Sequence, residues 1–132
     1  MFNLQQLKAI HAKVKSGRDF PAYVQEIKQS GVSYYDFAVK DGSTVYHGIT
    51  GATVSSDPAY AEKAISTTPK PETVRQIIAD HQQGKNDFLT FCSLVAEAGV
   101  AKWSVDTEAM LCTYFDLSGS DIVAEPIPQG SY

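Results

Sequence analysis

Cysteine is scarce in this chain: the 132 residues hold two, Cys92 and Cys112, standing twenty apart. That spacing fits neither paired zinc ligands nor a CxxC redox pair. No apolar run approaches the roughly 20 residues that a bilayer-crossing helix needs, and Met1–Lys8 lacks the basic segment and apolar stretch of a signal peptide. Positive charge is also sparse. Lys and Arg number 11 against 15 Asp and Glu, for a net charge of −4, and the basic residues are scattered singly. Nucleic-acid binding rests on clustered Lys and Arg neutralising phosphates, so no nucleic-acid partner is expected. Neither GxxxxGK[ST] nor GxGxxG occurs, which removes the common phosphate-cradling loops. These absences predict a cytoplasmic protein without membrane partner, cofactor or metal, its two cysteines buried and unbridged in a reducing compartment.

What is present is an internal repeat. Shifted by 68 positions, 20–58 lies on 88–126 without a gap, with identities at Phe20/Phe88, Gly31/Gly99, Val32/Val100, Tyr46/Tyr114, Gly51/Gly119 and Pro58/Pro126. Close substitutions lie between them: Tyr23/Phe91, Ile27/Val95, Tyr35/Trp103, Ile49/Leu117, Val54/Ile122 and Asp57/Glu125. Upstream, with one insertion, Leu7, Ile10 and Gly17 align with Val74, Ile77 and Gly84. The matches fall on glycines, aromatics and aliphatics, the positions a fold constrains.

Each copy reads as helix, helix and three strands. Leu4, Leu7, His11 and Val14 recur at three- and four-residue spacing, which predicts one buried helical stripe ending at Gly17. Asp19 suits an N-cap and Pro21 the first turn of a second helix that buries Phe20, Tyr23, Val24 and Ile27 and stops at Gly31. Tyr35, Phe37 and Val39 alternate along a first strand, Asp41-Gly42 is a hairpin turn, and Thr44–His47 and Ala52–Ser55 supply the next two. The second copy places strands near Ala101–Asp106, Met110–Leu117 and Ser120–Glu125. The expected fold is α+β: two diverged helix-helix-three-strand repeats forming antiparallel sheet or sheets, the helices on one face, a pseudo-twofold axis between the halves. A half of about 60 residues would be marginal alone, so 1–132 is read as a single domain. Repeat one covers about 1–58, a connecting segment 59–70, repeat two about 71–126, and a loose tail 127–132.

At these residues the sequence resembles a bacterial family of short uncharacterised proteins, some labelled "phage envelope protein". The resemblance runs from about His11 to Pro126. It is strongest in Val14–Tyr23 and His81–Phe88, and continues in Phe91-Cys92, Ala98–Trp103 and Cys112–Asp116. It implies no activity or site residue. The phage label implies a mobile-element origin at most.

Chemistry-bearing residues each have a structural explanation at hand. His11 occupies the inward stripe where the other copy keeps aliphatic Ile78, so it is either specialised for a site or a hydrogen-bonded boundary histidine, the latter expected. His81 precedes the helix-ending Gly84, where a cation suits the helix dipole; His47 falls on a strand at the position held by Phe115. Cys92 pairs with Val24 and suits core packing; a nucleophile would need a lowered pKa from a histidine or helix N-terminus. Cys112 pairs with Thr44 and reads as strand packing. The strand aromatics, Tyr34, Tyr35, Tyr46, Trp103, Tyr114 and Phe115, lack the interleaved basic residues of a base-stacking surface. Catalytic machinery is therefore not expected. The leading expectation is a non-enzymatic binding or regulatory protein acting through a protein partner or self-association. The alternative is a small enzyme or ligand-binding protein whose cleft between the lobes would use His11, Cys92, Tyr35 and Trp103. A concave apolar pocket lined by convergent polar groups would favour the alternative.

Overall fold

The computed structural model describes residues 3–13 and 19–127. Its elements follow the order helix, helix, three strands, written twice: α1 Leu4–His11, α2 Phe20–Gln29, β1 Val32–Ala38, β2 Thr44–Gly48, β3 Thr53–Ser55, then α3 Pro71–Gln82, α4 Phe88–Glu97, β4 Lys102–Asp106, β5 Leu111–Phe115 and β6 Asp121–Pro126. The strands make one antiparallel sheet ordered β3-β2-β1-β4-β5-β6, so the two first strands meet at its centre and join both triplets.

Register explains why one face of this sheet carries the core. Tyr35 lies opposite Tyr46 and Val105, Phe37 opposite Thr44 and Trp103, Trp103 opposite Tyr114, and Tyr114 opposite Val123. All of these side chains are buried. Because strand side chains alternate, the residues between them, Asp36, Val45, Ser104 and Thr113, share the other face. The helices complete the core with Leu7, Ile10, Tyr23, Val24, Ile27, Val74, Ile77, Ile78, Phe91 and Val95. Burying a side chain of the larger aliphatic or phenyl type contributes roughly 1.5–3 kcal/mol, so this layer dominates the stability.

The helix ends show how locally the sequence acts. After α4, the Gly99 N–H donates to the Ala96 carbonyl at 3.1 Å and the Val100 N–H to the Val95 carbonyl at 2.9 Å, the two bonds of a Schellman stop. Gly31 closes α2 in the same left-handed conformation, its N–H donating to the Lys28 carbonyl at 3.0 Å. Positive φ recurs at the repeat spacing: Gly31, Gly42 and Gly51 match Gly99, Met110 and Gly119. Met110 is the non-glycine case, at φ 52°, and its side chain is buried. At the helix starts the copies differ. Asp87 caps α4, accepting from the Thr90 N–H at 2.7 Å, whereas Asp19 stands at the N-cap of α2 without a side-chain capping bond to it.

The connecting segment is a strap rather than an element. Its Ala59 and Tyr60 N–H groups donate to the Asp41 carbonyl, and the Lys63 N–H donates to that of Lys40. Farther on, Ser66 and Lys70 donate to the Ala96 and Ala98 carbonyls, so the strap ties the first hairpin to the end of α4. Two expectations for α1 need comment. The helix ends at His11, and Ile10 rather than His11 is its buried residue near that end. The expected continuation through Val14 to the stop at Gly17, and most of the tail, lie outside the described residues. Among the described residues no helix is long and apolar enough to cross a membrane.

Candidate functional site

Helices packed on a sheet usually fill the space between; here they enclose a cavity of about 670 Å³. Residues matched across the two halves of the chain line it. Eight pairs separated by 68 positions do so: Phe20 and Phe88, Tyr23 and Phe91, Tyr35 and Trp103, Thr44 and Cys112, Tyr46 and Tyr114, Asp57 and Glu125, Pro58 and Pro126, and Ala59 and Ile127. Phe37 stacks on Trp103 with centroids 4.3 Å apart, and Phe88 stands edge-on to both. Phe91 meets Trp103 at 63°.

The lining is not symmetric in polarity. Where the second copy has Phe91, Trp103 and Cys112, the first has Tyr23, Tyr35 and Thr44. The Tyr23 and Tyr46 hydroxyls bond to one another at 3.1 Å, while Tyr23 stands edge-on to Tyr35. Burial raises the pKa of Tyr23, Tyr35, Tyr46 and Tyr114 above the usual tyrosine value, so all four keep their protons near neutrality. Charged side chains lie toward the rim. Lys8 and Asp57 are exposed and Glu125 is half-buried.

Three of the four cleft candidates, His11, Tyr35 and Trp103, line this cavity, and the fourth, Cys92, does not. His11 sits at the mouth, open to solvent on one side, its ring edge-on to Tyr23 at 5.4 Å and to Phe88 at 5.9 Å. That partial burial lowers its pKa from the usual histidine value, favouring the neutral ring. Cys92 is one residue beyond Phe91, about 100° around α4, and turns away from the cavity toward Tyr60 and Lys63 of the strap. Burial pushes its thiol up to about 11, offset only in part by Tyr60 and Lys63, which is opposite to what an activated nucleophile needs. Cys112 lines the cavity in its place, pushed up to about 12 by burial. Both thiols are unbridged. His81 also reaches the lining, stacked on Phe91 at 4.3 Å and held by Asn86 Oδ1 at 2.6 Å from its Nδ1.

A second polar cluster lies on the other face of the sheet. Ser104 Oγ donates to Asp36 Oδ1, His47 Nε2 lies 3.8 Å from Asp36 Oδ2, and Tyr34 stacks on His47 at 4.1 Å. Here the carboxylate stands between serine and histidine. A hydrolytic triad needs the histidine in the middle to accept the serine proton, so this order cannot activate Ser104. Among the described residues no group of three or more His, Cys, Asp or Glu side chains is placed to hold a metal ion.

From the sequence a cleft is only the alternative expectation, and most of its lining goes unnamed there. Alternation shows which side chains point inward, but not whether they meet. The available signal was the concentration of seven tyrosines, six phenylalanines and one tryptophan in a short chain, many at repeat-matched positions. Comparison with known proteins adds family without activity. The family described as "Protein of unknown function (DUF1398)" matches residues 8–126. An uncharacterized protein, YcgX of Escherichia coli (strain K12), is 22% identical over 117 residues, covering 87% of this chain and 86% of that protein.

Proposed function

We propose that this chain, which belongs to the DUF1398 family of proteins of unknown function, is a non-enzymatic binding protein for a small, mostly apolar molecule held between its helices and its sheet. The cavity carries the reading. About 670 Å³ falls within the range of about 300–1,000 Å³ typical of pockets that bury small ligands. Its lining is aromatic with a few placed hydroxyls, the composition such pockets share. Tyrosines that hold their protons act as hydrogen-bond donors and acceptors rather than as bases, and the cavity thiol is likewise protonated. Binding is thus better supported than turnover. The two thiols and the acidic charge fit residence in a reducing cytoplasm.

The protein-contact reading keeps one observation in its favour. On the sheet face opposite the helices, Tyr34 is 41% exposed and stacked on His47. The cavity outweighs it, because a half-exposed aromatic pair is ordinary on an open sheet. The phage-envelope label of some resembling proteins adds no weight to either.

Native mass spectrometry of protein taken directly from its host should show a retained small molecule. In parallel, the apolar dye N-phenyl-1-naphthylamine should brighten on binding and quench Trp103, which lines the cavity. Ile78→Trp, which adds bulk to a buried lining residue, should abolish both signals. No retained species, with dye fluorescence the same for both proteins, would refute the proposal.

A further inference from the structure

The polar asymmetry of the lining narrows the ligand class, resting on the cavity-binding reading above. Of two hydroxyls bonded to each other, one donates and the other keeps its hydrogen. Tyr23 and Tyr46 bond in this way at 3.1 Å, and either can be the donor. Among the described residues neither hydroxyl has a further hydrogen-bond partner in the fold. The pair therefore keeps one O–H unused, and both residues line the cavity. An unused donor in a buried aromatic site is satisfied by an acceptor on whatever occupies it.

Flat rings without hydroxyls make up another part of the lining. Phe91 and Trp103 stand where the first copy has tyrosines, and Phe88 meets Trp103 at 88°. Rings set edge to face and stacked in this way favour a further ring over a flexible chain. Ionic ligands are disfavoured in the interior, because the charged lining residues Lys8, Asp57 and Glu125 lie toward the rim and His11 at the mouth favours its neutral form. An ion drawn past them would lose its hydration without gaining an opposite charge from Tyr23, Tyr46, Phe88, Phe91 or Trp103.

We infer that the cavity selects a neutral, planar aromatic molecule bearing a hydrogen-bond acceptor, an aryl ketone being the simplest case. Its acceptor meets the Tyr23–Tyr46 pair and its rings lie between Phe88, Phe91 and Trp103.

Calorimetric titration of the full chain with matched naphthalenes tests this. 2-Acetylnaphthalene should bind about three- to tenfold more tightly than 2-ethylnaphthalene, the worth of one neutral hydrogen bond. 2-Dodecanone, 2-naphthoate and 2-naphthylmethylammonium should each bind more weakly than 2-acetylnaphthalene. In Tyr23→Phe and Tyr46→Phe together, the acetyl advantage should disappear while 2-ethylnaphthalene binding persists, which also reports that the pocket is intact. Equal binding of the acetyl and ethyl compounds, or tighter binding of the ketone chain or either ion, overturns the inference and leaves the cavity-binding reading standing. Binding of none of them, with no displacement of N-phenyl-1-naphthylamine, overturns both.

Discussion

The Tyr23–Tyr46 bond makes a quantitative demand on stability as well as on binding. The two hydroxyls are 3.1 Å apart, and the residues are 5% and 6% exposed. Removing either oxygen deletes the same bond, worth about 0.5–1.5 kcal/mol net, so Tyr23→Phe and Tyr46→Phe should each cost about 1 kcal/mol. The cost stays at that level because both residues line a cavity large enough to admit water, which can pair with the surviving hydroxyl. Once one oxygen is gone, the second substitution has no bond left to break, so the double variant should be little worse than either single one. The coupling energy is then about 1 kcal/mol, above the 0.3–0.5 kcal/mol scatter of additive pairs. In a domain of this size each single loss lowers the melting temperature by about 3–5 °C. The assay is a double-mutant cycle of urea unfolding near neutral pH. Its result should not change up to about pH 9, because the unfolded tyrosines ionise only near 10 and burial raises both folded values further. Strictly additive losses would refute the geometry, showing that the hydroxyls do not meet in solution.

Two further outcomes follow from geometry away from the hydroxyl pair. Gly99→Ala should destabilise by roughly 3 kcal/mol or more, because φ is +95° and a Cβ would stand 2.6 Å from the Pro69 Cα. Gly119→Ala, at φ +86° with nothing within 4 Å, should cost only about 1–2 kcal/mol for the left-handed backbone; equal losses in denaturant titration would count against the strap's docking on α4. Titration with a thiol reagent at pH 8 should find two thiols in denatured, unreduced protein and almost none in the native state, since both are buried with pKa values raised to about 11 and 12; fewer than two after denaturation would show a bridge, and rapid native labelling would show an accessible thiolate.

Much of the fold was legible because short-range physics sets it. Gly31 and Gly99 stop helices where an apolar period gives way to alternation, and both take the left-handed conformation there. The Asp41-Gly42 turn is as read, with Asp41 Oδ1 accepting from the Ser43 N–H at 2.9 Å. Less visible was how the triplets join: the central β1–β4 pairing is a contact between residues 68 apart, Asp36 opposite Ser104, which no local pattern encodes. At the second hairpin, Met110 takes the left-handed position of Gly42, a conformation no methionine advertises. On α1 the spacing admits either Ile10 or His11 to the inward stripe, and the structure buries the apolar Ile10 and leaves His11 exposed.

In the sequence, Tyr35 and Trp103 are a matched pair of strand aromatics and candidates for a cleft between the lobes. In the fold they stand on the two central strands, β1 and β4, whose pairing brings the aromatics of both halves to one place. Under the proposed function, the differences between the halves would set what the cavity prefers. Tyr23 against Phe91, Thr44 against Cys112 and His11 against Ile78 each place the more polar residue in the first copy. These substitutions leave the packing volumes similar while giving one end of the cavity hydrogen-bonding groups. Under the proposed function, these three substitutions suit an asymmetric ligand.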